Sequence, residues 1–151
     1  MSNFIGVDIS GITTISERLK KLPKEARDAG VEAANEYIVN SMQTYPPKSS
    51  KPFVWSSDKQ RKYVMMKMKQ AGFPGRSQEL RQGWKAVGKG YNQIVVNETQ
   101  HAQFVQGDNQ IIGHKTNNWQ TITMVLKNKG KDILKKFEGG VKSAIKKLHL
   151  N

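Results

Sequence analysis

Arg76-Ser77-Gln78-Glu79-Leu80-Arg81-Gln82-Gly83-Trp84, a break at Gly88-Lys89-Gly90, and Gln93-Ile94-Val95-Val96-Asn97 form the centre of the stretch around which the chain is organised. This stretch opens on a turn, Gly72-Phe73-Pro74-Gly75. It closes with His101-Ala102-Gln103-Phe104-Val105-Gln106-Gly107 and Gln110-Ile111-Ile112-Gly113-His114. Two short β-like runs joined by a Gly-rich turn predict a hairpin. Gln93–Asn97 is the better strand, because Ile94, Val95 and Val96 are β-branched. Helical patterns flank the hairpin on both sides. The expected fold is α+β, with long N-terminal and C-terminal helices packed on one face of a small, mostly antiparallel sheet.

On the N-terminal side, Ile12, Ile15, Leu19 and Leu22 recur at helical spacing and predict a short helix over about Ile12–Leu22. Pro23 restarts the pattern, with Glu25 in the favourable first turn. Ala26, Ala29, Ala33, Tyr37, Ile38 and Met42 continue one apolar stripe, so a longer helix is expected over about Lys24–Met42. Three prolines between Tyr45 and Pro52 then impose an extended loop. Phe53, Val54 and Trp55 follow it, and apolar residues there must dock on their own core or on a neighbour. Ser56-Ser57-Asp58 offers caps for a basic, Met-rich helix, Lys59 to Gln70, with Tyr63 and Met66 on one face. Adaptable thioether surfaces favour partner sites, so the segment at about 45–71 is expected to be an arm inserted into a single domain spanning 1–151.

On the C-terminal side, Trp119 begins an amphipathic run, Ile122, Val125, Leu126, Ile133, Leu134, Phe137, Val141, Ile145 and Leu148. Gly130 is expected to interrupt it, and Gly139-Gly140 to weaken it. Lys127, Lys129, Lys131, Lys135, Lys136, Lys142, Lys146 and Lys147 lie mostly on the opposite face. They form either a solvated helix face or one turned toward DNA or an acidic neighbour.

Charge is the strongest compositional fact. Lys plus Arg is 25 and Asp plus Glu is 12, a net +13, which points to an acidic partner, most simply nucleic acid. The absence of cysteine excludes disulfides, thiolate metal sites and thiol nucleophiles, and suits a reducing compartment. No stretch approaches the roughly 18 apolar residues of a membrane span.

Catalytic chemistry finds little to build on. His101, His114 and His149 match no metal-site spacing. The His114–Asn118 region faintly resembles a His–Asn nuclease motif but lacks its second histidine. The sparse acids form no acid–base or two-metal pair, no serine sits in a nucleophile elbow, and the glycines match no phosphate loop. No catalytic, cofactor-binding or metal residue is expected. Arg76, Arg81 and Trp84 could clamp a phosphate or stack on a base. The competing reading makes Trp84 core and gives the arginines salt bridges within or between subunits.

Arg76-Ser77-x-x-Leu80-Arg81-x-x-Trp84, a strand ending Val96-Asn97, then Ala102-x-Phe104-Val105-Gln106-Gly107 and Gln110, His114 and Trp119 follow one another in a recognisable order. That order resembles the head-proximal minor tail, or tail-completion (head–tail joining), proteins of long-tailed bacteriophages. Arg76-Ser77 stands where such proteins usually carry Thr-Gly. The resemblance implies a non-enzymatic virion part, made in the host cytoplasm and placed at the head–tail interface. Its partners would be connector and tail-tube proteins. Because so small a core leaves the arm uncovered, the chain is expected to stay monomeric when isolated and to close into a homo-oligomeric ring on the virion, where a neighbour orders it. Phe53, Val54, Trp55, Tyr63, Met66, Arg76 and Arg81 are then the candidate partner surface, and the eight C-terminal lysines the candidate DNA-facing surface. A basic non-specific nucleic-acid-binding module is the alternative.

Overall fold

The computed structural model describes residues 5–8, 22–70 and 78–148. The expected helix over Ile12–Leu22 lies, up to its last residue, outside them. So do the Gly72–Gly75 turn, Arg76, Ser77 and His149. In chain order the elements are β1 (Ile5–Asp8), α1 (Lys24–Gln43), α2 (Asp58–Gln70), α3 (Glu79–Gln82), β2 (Trp84–Val87), β3 (Ile94–Asn97), α4 (Ala102–Val105), α5 (Ile112–Thr116) and α6 (Ile122–Lys147). The fold is α+β: a small antiparallel sheet with long helices packed against it.

The expected hairpin is β2 and β3, paired Trp84 with Asn97 through Val87 with Ile94. Gly88 and Gly90 make the connection possible, since both take positive φ, at 112° and 57°. The third strand, β1, pairs antiparallel with the free side of β3, giving the order β1-β3-β2. Val95 and Val96 point to opposite faces of β3, and both are fully buried, so the central strand is covered on both sides rather than one.

Helix α1 starts directly after Pro23, whose carbonyl accepts the Ala26 and Arg27 N–H groups. Its buried line, Ala26, Gly30, Ala34, Ile38 and Met42, meets α6 and the sheet. Thr121 caps α6 by accepting the Met124 N–H at 3.2 Å. From there α6 runs unbroken for 26 residues. The expected interruption at Gly130 does not occur. Ile122, Val125, Ile133 and Val141 bury one continuous line, and that packing outweighs three glycines at about 1 kcal/mol each. Gly140 is needed where it stands, because a Cβ there would strike the Ala29 carbonyl and come within 3.0 Å of Gly30 Cα. Gly30 answers it, since a Cβ on that residue would meet the Phe137 ring at 2.6 Å and Val141 at 2.8 Å. The two glycines let antiparallel α1 and α6 cross at close range.

The main core holds Ala34, Ile38, Met42, Trp84, Val95, Ile122, Val125 and Ile133. A second cluster, Leu80, Ala102, Val105 and Trp119, seals the other end.

Candidate functional site

Most residues of the central pattern turn inward and hold the fold. Trp84 is core, as one of the two sequence readings has it, and its indole Nε1 donates to Gln106 Oε1 at 2.8 Å. Gln106 Nε2 donates in turn to the Met42 carbonyl at 2.9 Å, satisfying the end of α1. Asn97 Nδ2 donates to the Leu80 carbonyl at 2.7 Å, while its Oδ1 accepts from the Thr99 N–H at 3.0 Å and hydroxyl at 2.7 Å. Gln110 Nε2 ties the Val105 and Trp119 carbonyls at 2.7 and 2.8 Å. Buried amides with every partner in place specify a loop path more sharply than apolar contacts do. These residues latch short, irregular segments to one another. Position alone does not reveal that role; an Asn or Gln inside an otherwise apolar run is the available signal.

The arm is the first surface candidate. Its stem is bolted to the body at both ends. Tyr45 Oη accepts the Arg81 backbone N–H at 2.9 Å, and its ring lies 4.7 Å from Trp119. Phe53 covers Gly113 and lies edge-on to His114 at 5.3 Å, with Trp55 at 4.6 Å from Phe53. Phe53 and Trp55 are therefore half-buried on their own body, the first of the two dockings the sequence allowed them, and part of each ring still faces outward. The reason is the dish at Gly113, which a side chain there would fill. Val54 stays exposed.

Beyond the stem, Ser57 Oγ accepts the Gln60 N–H at 3.1 Å, and Gln60 Oε1 accepts the N–H of the preceding Ser56 at 2.9 Å; together the two bonds start α2. Among the described residues, helix α2 then stands largely clear of the other elements. Tyr63, Met65 and Met66 are about half exposed, at 58%, 54% and 48%. Arg81 is exposed and belongs to neither ion pair among the described residues, Lys24–Asp28 and Lys85–Glu98.

His114 sits between Phe53 and Trp119, with its Nδ1 buried and unpartnered. Burial, and next the neighbouring His101, lower its pKa to about 4, so the imidazole is neutral near pH 7. A shallow cavity of about 300 Å³ lies nearby, floored by Trp119 and Val125 and rimmed by Lys115, Asn118 and Lys129. Among the described residues, no carboxylate or histidine lines it. Among the described residues, no three His, Asp or Glu side chains are placed to hold a metal. No helix of the described residues is long and apolar enough to cross a membrane.

The outer face of α6 is the second candidate. The structure divides the eight lysines. Lys129 and Lys136 turn toward α1, each with its Nζ 5.9 Å from the Tyr37 ring centroid, and Lys129 also lies 3.4 Å from Ser41 Oγ. At about 100° per residue, Lys147 falls on that same flank. Lys127, Lys131, Lys135, Lys142 and Lys146 fall within an arc of about 100° opposite the buried line, and all five are exposed. No family model, curated protein or solved structure matches this chain.

Proposed function

We propose that the chain is a structural joining protein of a long-tailed bacteriophage virion, seated between the head connector and the tail tube, which works by self-association and partner binding and not by turnover. The observation that carries the reading is the arm. A stem fixed by Tyr45 and Phe53 holds out α2, and α2 presents Tyr63, Met65 and Met66 to solvent instead of to its own core. Exposed aromatic and thioether groups on a pre-positioned helix suit burial against a neighbour. Fixing the stem in advance lowers the ordering cost when that neighbour arrives. The family-like order of residues at the centre of the chain supplies the virion context.

The test is a Tyr63→Ser, Met66→Ser double variant in the producing phage. It is expected to leave the thermal melt of the isolated protein within about 2 °C of the parent, since neither side chain is core. Unjoined heads and tails should accumulate in electron micrographs of lysates. Full yields of infectious particles would remove the arm from the joining role.

A further inference from the structure

The outward ridge of α6 differs from the basic arm helix in one respect: its lysines are free of aromatics, where α2 carries Tyr63 among its charges. Lys127, Lys131, Lys135, Lys142 and Lys146 recur at intervals of four, four, seven and four residues. At 1.5 Å per residue they extend about 28 Å along one rigid helix, the length of roughly eight base pairs of duplex. Among the described residues none of the five is held by a carboxylate. Glu138 is the single acid inside their arc, while Asp132 is turned aside to the Tyr37 hydroxyl at 3.4 Å.

We propose that this ridge docks along the phosphate backbone of duplex DNA, without reading its sequence. Three features select this partner. Lysines are point charges with no fork for base edges. The arc holds no Trp, Tyr or Phe, so there is no platform on which unpaired bases could stack. The rival occupant, the exposed carboxylates Glu25, Glu32 and Glu36 on α1 of a second copy, offers three charges over about 17 Å of helix, against one per about 1.7 Å of duplex axis. The proposal does not rest on the joining-protein reading, and either can fail alone.

The experiment is fluorescence anisotropy of the full chain on a 20-base-pair duplex across a salt series. Five phosphate contacts predict a slope of log K against log salt near −4.5, a loss of several hundred-fold between 50 and 200 mM. Replacing Lys131, Lys135 and Lys142 together by Gln is expected to bring the slope to about −2. Lys129→Gln with Lys136→Gln is expected to leave most of it, because both face Tyr37. The ridge side chains are exposed, so unchanged circular dichroism is expected in both variants. The proposal is overturned if the triple variant keeps its slope, or if the Lys129/Lys136 pair carries the loss. Tighter binding to a single strand than to the duplex also overturns it. So does self-association that displaces DNA and is abolished by Glu32→Lys with Glu36→Lys.

Discussion

Three glycines lie within one helix, and the structure predicts opposite signs for the same substitution at two of them. A Cβ at Gly130 would meet nothing within 4 Å. Gly130→Ala therefore gains only the removal of glycine's backbone freedom, about 1 kcal/mol. For a chain of this size that raises Tm by about 2–4 °C. A Cβ at Gly140 would meet the Ala29 carbonyl and Gly30 Cα, which are backbone atoms unable to rotate away. Overpacking costs about 1–3 kcal/mol, and a rigid neighbour puts this case at the upper end. After the same propensity gain of about 1 kcal/mol, Gly140→Ala is left about 2 kcal/mol worse, a Tm fall of about 4–8 °C. Thermal melts followed at 222 nm, with urea titration for the free energies, measure both. A neutral or stabilising Gly140→Ala would refute the close crossing of α1 and α6, and a destabilising Gly130→Ala would show that the open space beside Gly130 is filled.

Gln106→Leu strands the Trp84 indole N–H and the Met42 carbonyl, at about 1–3 kcal/mol for each orphan, and Trp84→Phe should cost less in that background than in the parent; an additive double-mutant cycle in urea would contradict the coupling. For His114 the folded pKa of about 4 lies below the ordinary 6.5, so the unfolded chain binds the proton first. Its contribution to stability is full above pH 6.5 and is lost as pH falls from there toward 4. Between pH 6.5 and 5, above most carboxylate titration, the Tm of the parent should decline more steeply than that of His114→Gln, and parallel Tm curves would count against a buried neutral imidazole. Tyr45→Phe removes the acceptor of the Arg81 N–H and should cost about 0.5–1.5 kcal/mol while speeding limited proteolysis between 44 and 57; an unchanged cleavage rate would mean that the ring contact with Trp119, and not the hydroxyl, holds this end of the stem.

What was legible in the sequence was the part governed by neighbours along the chain. The stripe from Ala26 to Met42 gives α1 to within a residue at its end, β-branched Ile94–Val96 gives β3, and Ser57 before Asp58 gives the start of α2. What failed depends on distant partners. Strand β1 is four residues with a glycine inside, and only its pairing to β3 makes it a strand. Phe53 turns inward because Gly113 is hollow, and nothing near Phe53 announces that. The lysines of α6 look alike in a helical pattern until Tyr37 draws two of them aside. For the candidate site, the arm's composition was readable, while the division between bolted stem and free helix was not.

The paired glycines at the crossing of α1 and α6 also set the order in which the molecule comes together. Contacts across that seam are remote, with Tyr37 and Asp132 95 positions apart and Ser41 and Lys129 88 apart. Across the hairpin, Lys85 and Glu98 are only 13 apart. The logarithmic cost of closing a loop makes the seam harder to reach than the hairpin by roughly 1.7 kcal/mol of chain entropy. The hairpin can therefore zip early as a local nucleus, and the helices dock as the late, rate-separating event. Damage at Gly140 should then show itself mostly as faster unfolding, with the refolding limb of a chevron little changed, whereas damage at Val95 should slow refolding itself.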